Sequence, residues 1–130
     1  INNNIVVCTN ATVAAIYLYS AISNPTLANC NFNCWNSTVF LARAGAAVTF
    51  ATWQAEGRDA NGTTANPLLV STSTPVDLHL LSSSPCVNPA GQTSTLTVDS
   101  DGDARPLGAT TDIGADEANT TPTAPAITDQ

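Results

Sequence analysis

The side chains best able to do chemistry are concentrated near the C-terminal end, where residues 99–117 hold six of the ten acidic groups. Asp99, Asp101 and Asp103 occupy alternate positions, which is the spacing of carboxylate ligands at the start of a calcium-binding loop. The full loop pattern also needs Gly at its sixth position and Glu at its twelfth, where this sequence has Ala and Thr. Two interpretations follow: calcium bound by the three aspartates, or aspartate turns whose carboxylates pair with Arg105.

Arg105 is one of only three cationic side chains, and the chain contains no lysine. Its guanidinium is a planar fork that matches the geometry of a carboxylate. Asp112, Asp116 and Glu117 are the candidate acceptors that follow it in the sequence. Such a pairing predicts that residues 99–117 form a structural cap.

His79 is the single histidine, on the polar side of a segment, residues 76–81, that alternates apolar and polar side chains. A zinc site needs several ligands of the histidine, cysteine or carboxylate type, and a catalytic imidazole needs a nucleophile held against it. The sequence has no second histidine and no recognisable nucleophile motif. We therefore assign His79 no catalytic role.

Polysaccharide-cleaving enzymes need clustered carboxylates or basic residues on one face. The middle of this chain offers only four candidates: Arg43, Glu56, Arg58 and Asp59. We therefore expect a protein that is not an enzyme and that has no cofactor beyond the calcium interpretation.

The composition suits one folded domain, because 43% of the 130 residues are hydrophobic. A net charge of -7 argues against a nucleic-acid partner and against docking on anionic lipid, since both need Lys and Arg. No apolar run approaches the ~20 residues of a membrane span, so we expect no direct insertion. The chain has no Met, and we expect a processed exported protein or a fragment.

Two segments match each other at an offset of 26 residues: C-T-N-A-T-V from Cys8 and C-W-N-S-T-V from Cys34. A repeat of this length, made of short strands and Asn or Ser turns, predicts stacked coils of a parallel β-helix. Asn10 and Asn36 would then stack at a bend and pass side-chain hydrogen bonds between coils. Cys8 and Cys34 would stack about 4.8 Å apart, a separation compatible with a disulfide.

The four cysteines suit an oxidising compartment, with disulfides and buried free thiols as open alternatives. Cys30 and Cys34 lie four positions apart in one predicted strand, about 13 Å, and cannot bond to each other. Cys86 is then the candidate partner of Cys30.

The predicted architecture is all-β: a short solenoid over residues 1–117, with its cap at 99–117, and an extended Thr/Pro-rich tail at 118–130. A short helix is expected near residues 52–56, with Thr52 as its N-cap and Trp53 packing inward. The expected strands cover residues 5–8, 13–19, 27–35, 68–70, 76–81 and 96–98.

Three runs carry a family resemblance: W-Q-A-E-G-R-D-A-N-G-T-T-A-N-P-L-L-V, then D-L-H-L-L-S-S-S-P-C-V, then D-S-D-G-D-A-R-P-L-G-A-T-T-D-I-G-A-D-E. Over residues 53–117 the chain resembles the C-terminal end of bacterial right-handed parallel β-helix repeat surface proteins. The resemblance implies a right-handed solenoid closed by the D-G-D-x-R-P…D-I-G-A-D-E segment, followed by a linker. It implies no particular activity.

Short solenoids expose unpaired strand edges, which invite pairing with another chain. We therefore expect a non-enzymatic, extracellular or cell-surface structural protein that associates with copies of itself, as a subunit of a filament or layer. Surface polysaccharide is a second candidate partner. The alternative is the C-terminal cap module of a larger adhesin or carbohydrate-active β-helix protein.

Overall fold

The computed structural model describes residues 2–8, 12, 14–18 and 30–119. The prediction of an all-β protein is confirmed at the level of class, because short strands in small sheets predominate and helix is scarce. In chain order the described elements are β1 (Ile5–Cys8), β2 (Ala14–Leu18), β3 (Cys34–Ser37), β4 (Val39–Arg43), β5 (Ala46–Val48), α1 (Phe50–Ala55), β6 (Leu69–Ser71) and β7 (Asp77–Leu80).

Two strand pairs are parallel and follow each other along the chain. β1 pairs with β3, with Ile5 opposite Cys34, and β2 pairs with β4, with Ala14 opposite Val39. A further parallel bridge joins Cys34 to Thr63, which repeats the 29-residue step from Ile5 to Cys34. Parallel strands are joined by long connections. The stretches around Ile5, Cys34 and Thr63, each separated by such a connection, therefore lie side by side.

The predicted offset of 26 residues is wrong for β1 and β3. Cys8 lies opposite Ser37 rather than Cys34, and Asn36 lies opposite Val7. Cys8 and Cys34 are therefore not stacked. Asn10 lies outside the described residues, as does the tail from residue 120 onward.

Asparagine side chains at a spacing of 29 and 30 residues explain the register. Asn31 N–H donates to Asn2 Oδ1 at 2.8 Å, and Asn61 N–H donates to Asn31 Oδ1 at 3.0 Å. On a parallel rung, Asn33 Oδ1 accepts from Asn4 N–H at 3.1 Å. We call Asn2, Asn31 and Asn61 the asparagine ladder. It resembles the predicted one in kind but uses other residues.

β3 is covered on both faces, because successive side chains of a strand point in opposite directions. Trp35 enters an inner cluster with Phe40, Leu41 and Trp53, in which Phe40 makes edge-to-face contacts with both tryptophans. Cys34 enters an outer cluster on the other face. The buried members of the outer cluster are Cys34, Leu80, Cys86, Ile113 and Ala118.

The chain turns back on itself after β4. β5 pairs antiparallel with β4, and β7 pairs antiparallel with β6. The N-cap lies three residues earlier than expected: Thr49, not Thr52, caps the helix and accepts from Thr52 N–H, since it precedes the first helical residue. Trp53 is fully buried, as predicted. The strand expected at residues 96–98 is reduced to one bridge between Val98 and Ala104.

Candidate functional site

An open groove of ≈ 1270 Å³ lies between β1, β7 and residues 94–101. Leu78 and Leu96 on its walls are 61% and 64% exposed, although both are large and apolar. The alternation in β7 predicted that Leu78 would be buried together with Leu80. Only Leu80 is buried, because β7 has a partner on one edge and contacts the outer cluster only at its end. The exposed apolar lining consists of Val7, Val76, Leu78, Leu96 and Val98.

His79 lies at the polar end of this groove between two carboxylates. Its Nε2 is 2.6 Å from Asp101 Oδ2, and its Nδ1 contacts Asp77 Oδ1. The hydrogen bonds that the imidazole donates to Asp77 and Asp101, followed by the charges of these carboxylates, raise the pKa of His79 from 6.5 to about 9. The imidazole therefore carries its proton at neutral pH. Because carboxylates occupy both ring nitrogens, it does not act as a free general base.

The single histidine gives a direct test by NMR. We expect the imidazole of His79 to titrate with a pKa of about 9, and Asp101→Asn to move this pKa back toward 6.5. Asp103→Asn, a change of an exposed neighbouring carboxylate, is the control and leaves the value unchanged. The raised pKa means that the pair stabilises the fold fully below pH 6.5 and loses that contribution as the pH rises through about 9. A wild-type pKa near 6.5 would contradict the ion pair.

A buried carboxylate completes the cluster around His79. The ligand atoms of His79, Asp101 and Asp116 lie within 4.8 Å of one another, so together they could hold a cation. Asp116 is fixed by accepting a hydrogen bond from Leu80 N–H at 2.8 Å. A metal ion here would compete with the proton of His79, since a ligating imidazole must be neutral.

The calcium interpretation placed the ligands elsewhere, at Asp99, Asp101 and Asp103. Among the described residues these three do not converge, and only Asp101 belongs to the cluster. Asp99 Oδ1 accepts from the N–H groups of Asp101 and Asp103, both at 2.9 Å, which is the turn geometry of the second interpretation. Its Oδ2 accepts from Glu117 N–H at 3.1 Å. Asp99 therefore organises a turn, and the predicted ligand set is not assembled.

Arg105 contacts the carboxylate of one of its three candidate acceptors. Its Nε lies 3.3 Å from Glu117 Oε1, with both side chains almost fully buried, and its Nη2 donates to the carbonyls of Asp112 and Gly114. Asp116 instead binds β7, as described above. These contacts tie Arg105 to residues 112–117 of the same stretch.

Asp112 and Glu117 hold the same segment through backbone amides. Asp112 Oδ1 accepts from Asn88 N–H at 2.7 Å, and its Oδ2 accepts from Ala118 N–H at 2.8 Å. Burial raises the pKa of Asp112 from its ordinary value, and the two amides oppose that shift. Glu117 Oε1 accepts from Asp112 N–H at 2.9 Å. The acidic stretch is therefore a hydrogen-bonded structural unit, packed on the outer face of β1 and β3.

The cysteines are arranged differently from either predicted pair. Cys30, Cys34 and Cys86 are buried thiols, and Cys30 lies in the inner cluster, where its Sγ is 3.7 Å from Asp59 Oδ2. Cys86 lies in the outer cluster with Cys34. Cys30 and Cys86 are thus separated by the β1–β3 sheet, because the two clusters occupy its opposite faces.

Asp59 is the buried polar centre that the sequence pattern did not indicate. It is 0% exposed, and it accepts from Asn33 N–H at 3.1 Å, from Asn33 Nδ2 at 3.2 Å and from Trp35 Nε1. Gly62 passes so close that an added Cβ would lie 2.5 Å from Asp59 Oδ1. The repeated N-x-N at residues 2–4 and 31–33 was the signal that could have located this rung.

Comparison of the chain with protein-family models, with curated proteins and with solved structures gave no match. The family resemblance therefore stays a prediction. Among the described residues, no helix is both long and apolar enough to cross a membrane.

Proposed function

We propose that this chain is a non-catalytic structural protein of the cell exterior whose coils stack head to tail with copies of itself. In this proposal the parallel passes are coils of a short right-handed β-helix, as the family resemblance implies. The asparagine ladder carries the proposal. It can be continued at both ends by the same residues that build it internally.

The ladder has a direction. The backbone N–H of each asparagine donates to the side-chain oxygen of the asparagine that precedes it in the ladder. Asn31 donates to Asn2, and Asn61 donates to Asn31. Continuing the pattern makes Asn2 N–H the next donor at one end and Asn61 Oδ1 the next acceptor at the other. Asn2 and Asn61 are both exposed. Asn61 of one copy is therefore complementary to Asn2 of the next.

The strand edges support the same arrangement. In the described part of the chain, β1 and β2 are paired along one edge only, by β3 and β4. The unpaired edges of β1 and β2 face away from β3 and β4. A further strand could pair along these edges. Such edges are templates for strand addition. Head-to-tail contacts join two different surfaces, and they propagate into filaments when the rotation does not close.

The exposed apolar side chains of the groove lie beside the free edge. β1 contributes Val7 to the groove, and β7 contributes Leu78. Contiguous exposed apolar surface marks an interaction site more often than scattered apolar residues do. A strand of a neighbouring copy that paired with the free edge of β1 would cover these apolar side chains. Burying them would supply most of the association free energy.

Replacing Asn61 with Ala tests the ladder directly. We expect self-association to weaken by roughly tenfold, because one interfacial hydrogen bond contributes about 1–1.5 kcal/mol. Asn66→Ala is the matched control: Asn66 is also exposed, and its Oδ1 accepts only from Leu68 N–H, two residues away. Sedimentation velocity over a concentration series measures the effect, and electron microscopy shows the assembly. A monomer at every concentration would rule the proposal out.

The second candidate function is a C-terminal module of a longer parallel-coil protein, such as an adhesin. The N–H group of Asn2 favours it equally. In a longer protein, a preceding coil of the same chain could supply the acceptor oxygen that Asn61 of another copy supplies in a filament. The two candidates differ at Asn61. In the longer protein Asn61→Ala leaves the oligomeric state unchanged.

A further inference from the structure

Two buried thiols meet where β3 packs against the C-terminal half of the chain. Cys34 and Cys86 are both 0% exposed and both belong to the outer cluster. They pack in the same cluster closely enough for each thiol to shift the pKa of the other, upward for Cys34 and downward for Cys86. They are 52 residues apart in the sequence, 86 minus 34, so contact between them depends on the tertiary fold.

The backbone holds both cysteines in place around this contact. Cys34 N–H donates to Asn4 O at 2.8 Å within the parallel ladder. On the other side, Cys86 O accepts from Ile113 N–H at 2.9 Å, and Cys86 N–H donates to Ser84 Oγ at 3.0 Å. Ser84 Oγ in turn donates to Pro67 O. A disulfide needs its two Cβ atoms within about 3.5–4.5 Å of each other, and two thiols held in one buried cluster are the pair of described cysteines best placed to reach that separation.

The other two cysteines are not alternative partners in the described structure. Cys30 enters the inner cluster on the opposite face of the sheet and contacts Asp59. Cys8 lies opposite Ser37 at the far end of β1. We propose that Cys34 and Cys86 form an intramolecular disulfide when the chain folds in the presence of a disulfide oxidant.

The chemistry is a two-step thiol–disulfide exchange with oxidised glutathione as the oxidant. The thiolate of either cysteine, for example Cys86, attacks the glutathione disulfide, which releases one glutathione thiolate and leaves a mixed disulfide. The thiol of Cys34 then loses its proton, and its sulfur attacks Cys86 Sγ and displaces the second glutathione. Both cysteine protons end on the released glutathiones, so two thiols are oxidised and one glutathione disulfide is reduced.

The folded environment makes the two thiols unequal. Interaction with Cys86, together with burial, raises the pKa of the Cys34 thiol. The same interaction lowers the pKa of Cys86, and burial opposes it. In the closed cluster Cys86 is therefore the more acidic thiol, whereas Cys34 Sγ–H donates to Ala65 O at 3.3 Å. Because both sulfurs are inaccessible in the folded state, exchange takes place before the outer cluster closes.

Refolding the full chain in a buffer of oxidised and reduced glutathione tests the inference. We expect two free thiols to remain in place of four, and digestion without reduction to give a peptide that joins Cys34 to Cys86. Loss of the bridge on reduction is expected to lower the melting temperature by on the order of 10 °C, since the closed loop is long. Four remaining thiols, or a linked peptide that contains Cys8 or Cys30, would overturn the assignment.

Cys30→Ser is the matched variant, because it alters a buried cysteine of the inner cluster. It keeps the Cys34–Cys86 peptide, whereas Cys86→Ser abolishes it. The peptide map of the wild-type chain decides the result even if a variant fails to fold. The bridge is also separable from the proposed function: a monomeric protein can carry it, and a filament can lack it.

Discussion

Replacing Arg105 with Met is expected to lower the free energy of unfolding by about 3–5 kcal/mol. The Met side chain keeps much of the packing volume and removes the charge. Glu117 is then left as an uncompensated carboxylate with a side chain only 1% exposed, and the carbonyls of Asp112 and Gly114 lose a donor. Against a typical total of about 5–15 kcal/mol, the loss is large. Urea unfolding followed by tryptophan fluorescence measures it.

A double-mutant cycle separates the ion pair from the rest of the effect. We expect Arg105→Met combined with Glu117→Gln to cost less than the sum of the two single changes, because the pair then disappears as a unit. Glu56→Gln is the exposed control. Glu56 also joins two arginines, Arg43 and Arg58, but at the surface, so its loss costs about 1 kcal/mol or less. Equal costs for Arg105→Met and Glu56→Gln would contradict the structural role assigned to Arg105.

Replacing Asp59 with Ala is expected to cost at least about 3 kcal/mol, because each buried donor left without an acceptor costs about 1–3 kcal/mol. Four donors are affected: Asn33 N–H, Asn33 Nδ2, Trp35 Nε1 and the thiol of Cys30. The loss also reaches the inner cluster, since the indole of Trp35 is oriented by this bond. The same unfolding measurement applies, and a shift in tryptophan emission is expected to accompany it.

Asp103→Asn is the control for this change, because Asp103 is an exposed carboxylate. We expect it to alter stability by no more than about 0.5 kcal/mol. Asp59→Asn should fall between the two variants, since the amide keeps one acceptor oxygen and presents its NH₂ group to the remaining donors. If Asp59→Ala left the free energy of unfolding unchanged, the asparagine rung would not depend on this carboxylate.

Strand content could be predicted from the sequence because alternation and turn residues are local signals. The pairing partners could not, because two competing repeats are present. The C-T-N-A-T-V repeat favours 26 residues, whereas the structure aligns Ile5 with Cys34 at 29. Side-chain hydrogen bonds decide between them, since Asn2 reaches the backbone of Asn31 only in the second register.

The candidate site shows the same division. Arg105 and its acidic neighbours could be identified as a structural unit from charge alone, because so few cations are available to so many carboxylates. The contact of Asp101 with His79 could not be predicted, since it joins residues 22 apart across the groove. Cys34 and Cys86 also come together only in the folded chain. Their contact requires Cys34 to lie on the outer face of β3 and Cys86 to pack against that face.

The contact between the two extremes of the described chain has a consequence for synthesis. Asn3 Nδ2 donates to Gly114 O at 3.1 Å, and Gly114 N–H donates back to Asn3 Oδ1 at 3.2 Å, across 111 positions. During translation, the outer face of β1 therefore stays uncovered until Gly114 and its neighbours have emerged from the ribosome. Contacts of such long separation form late and slowly. The inner half can therefore assemble before the outer half, which is completed only when residues 112–118 are available.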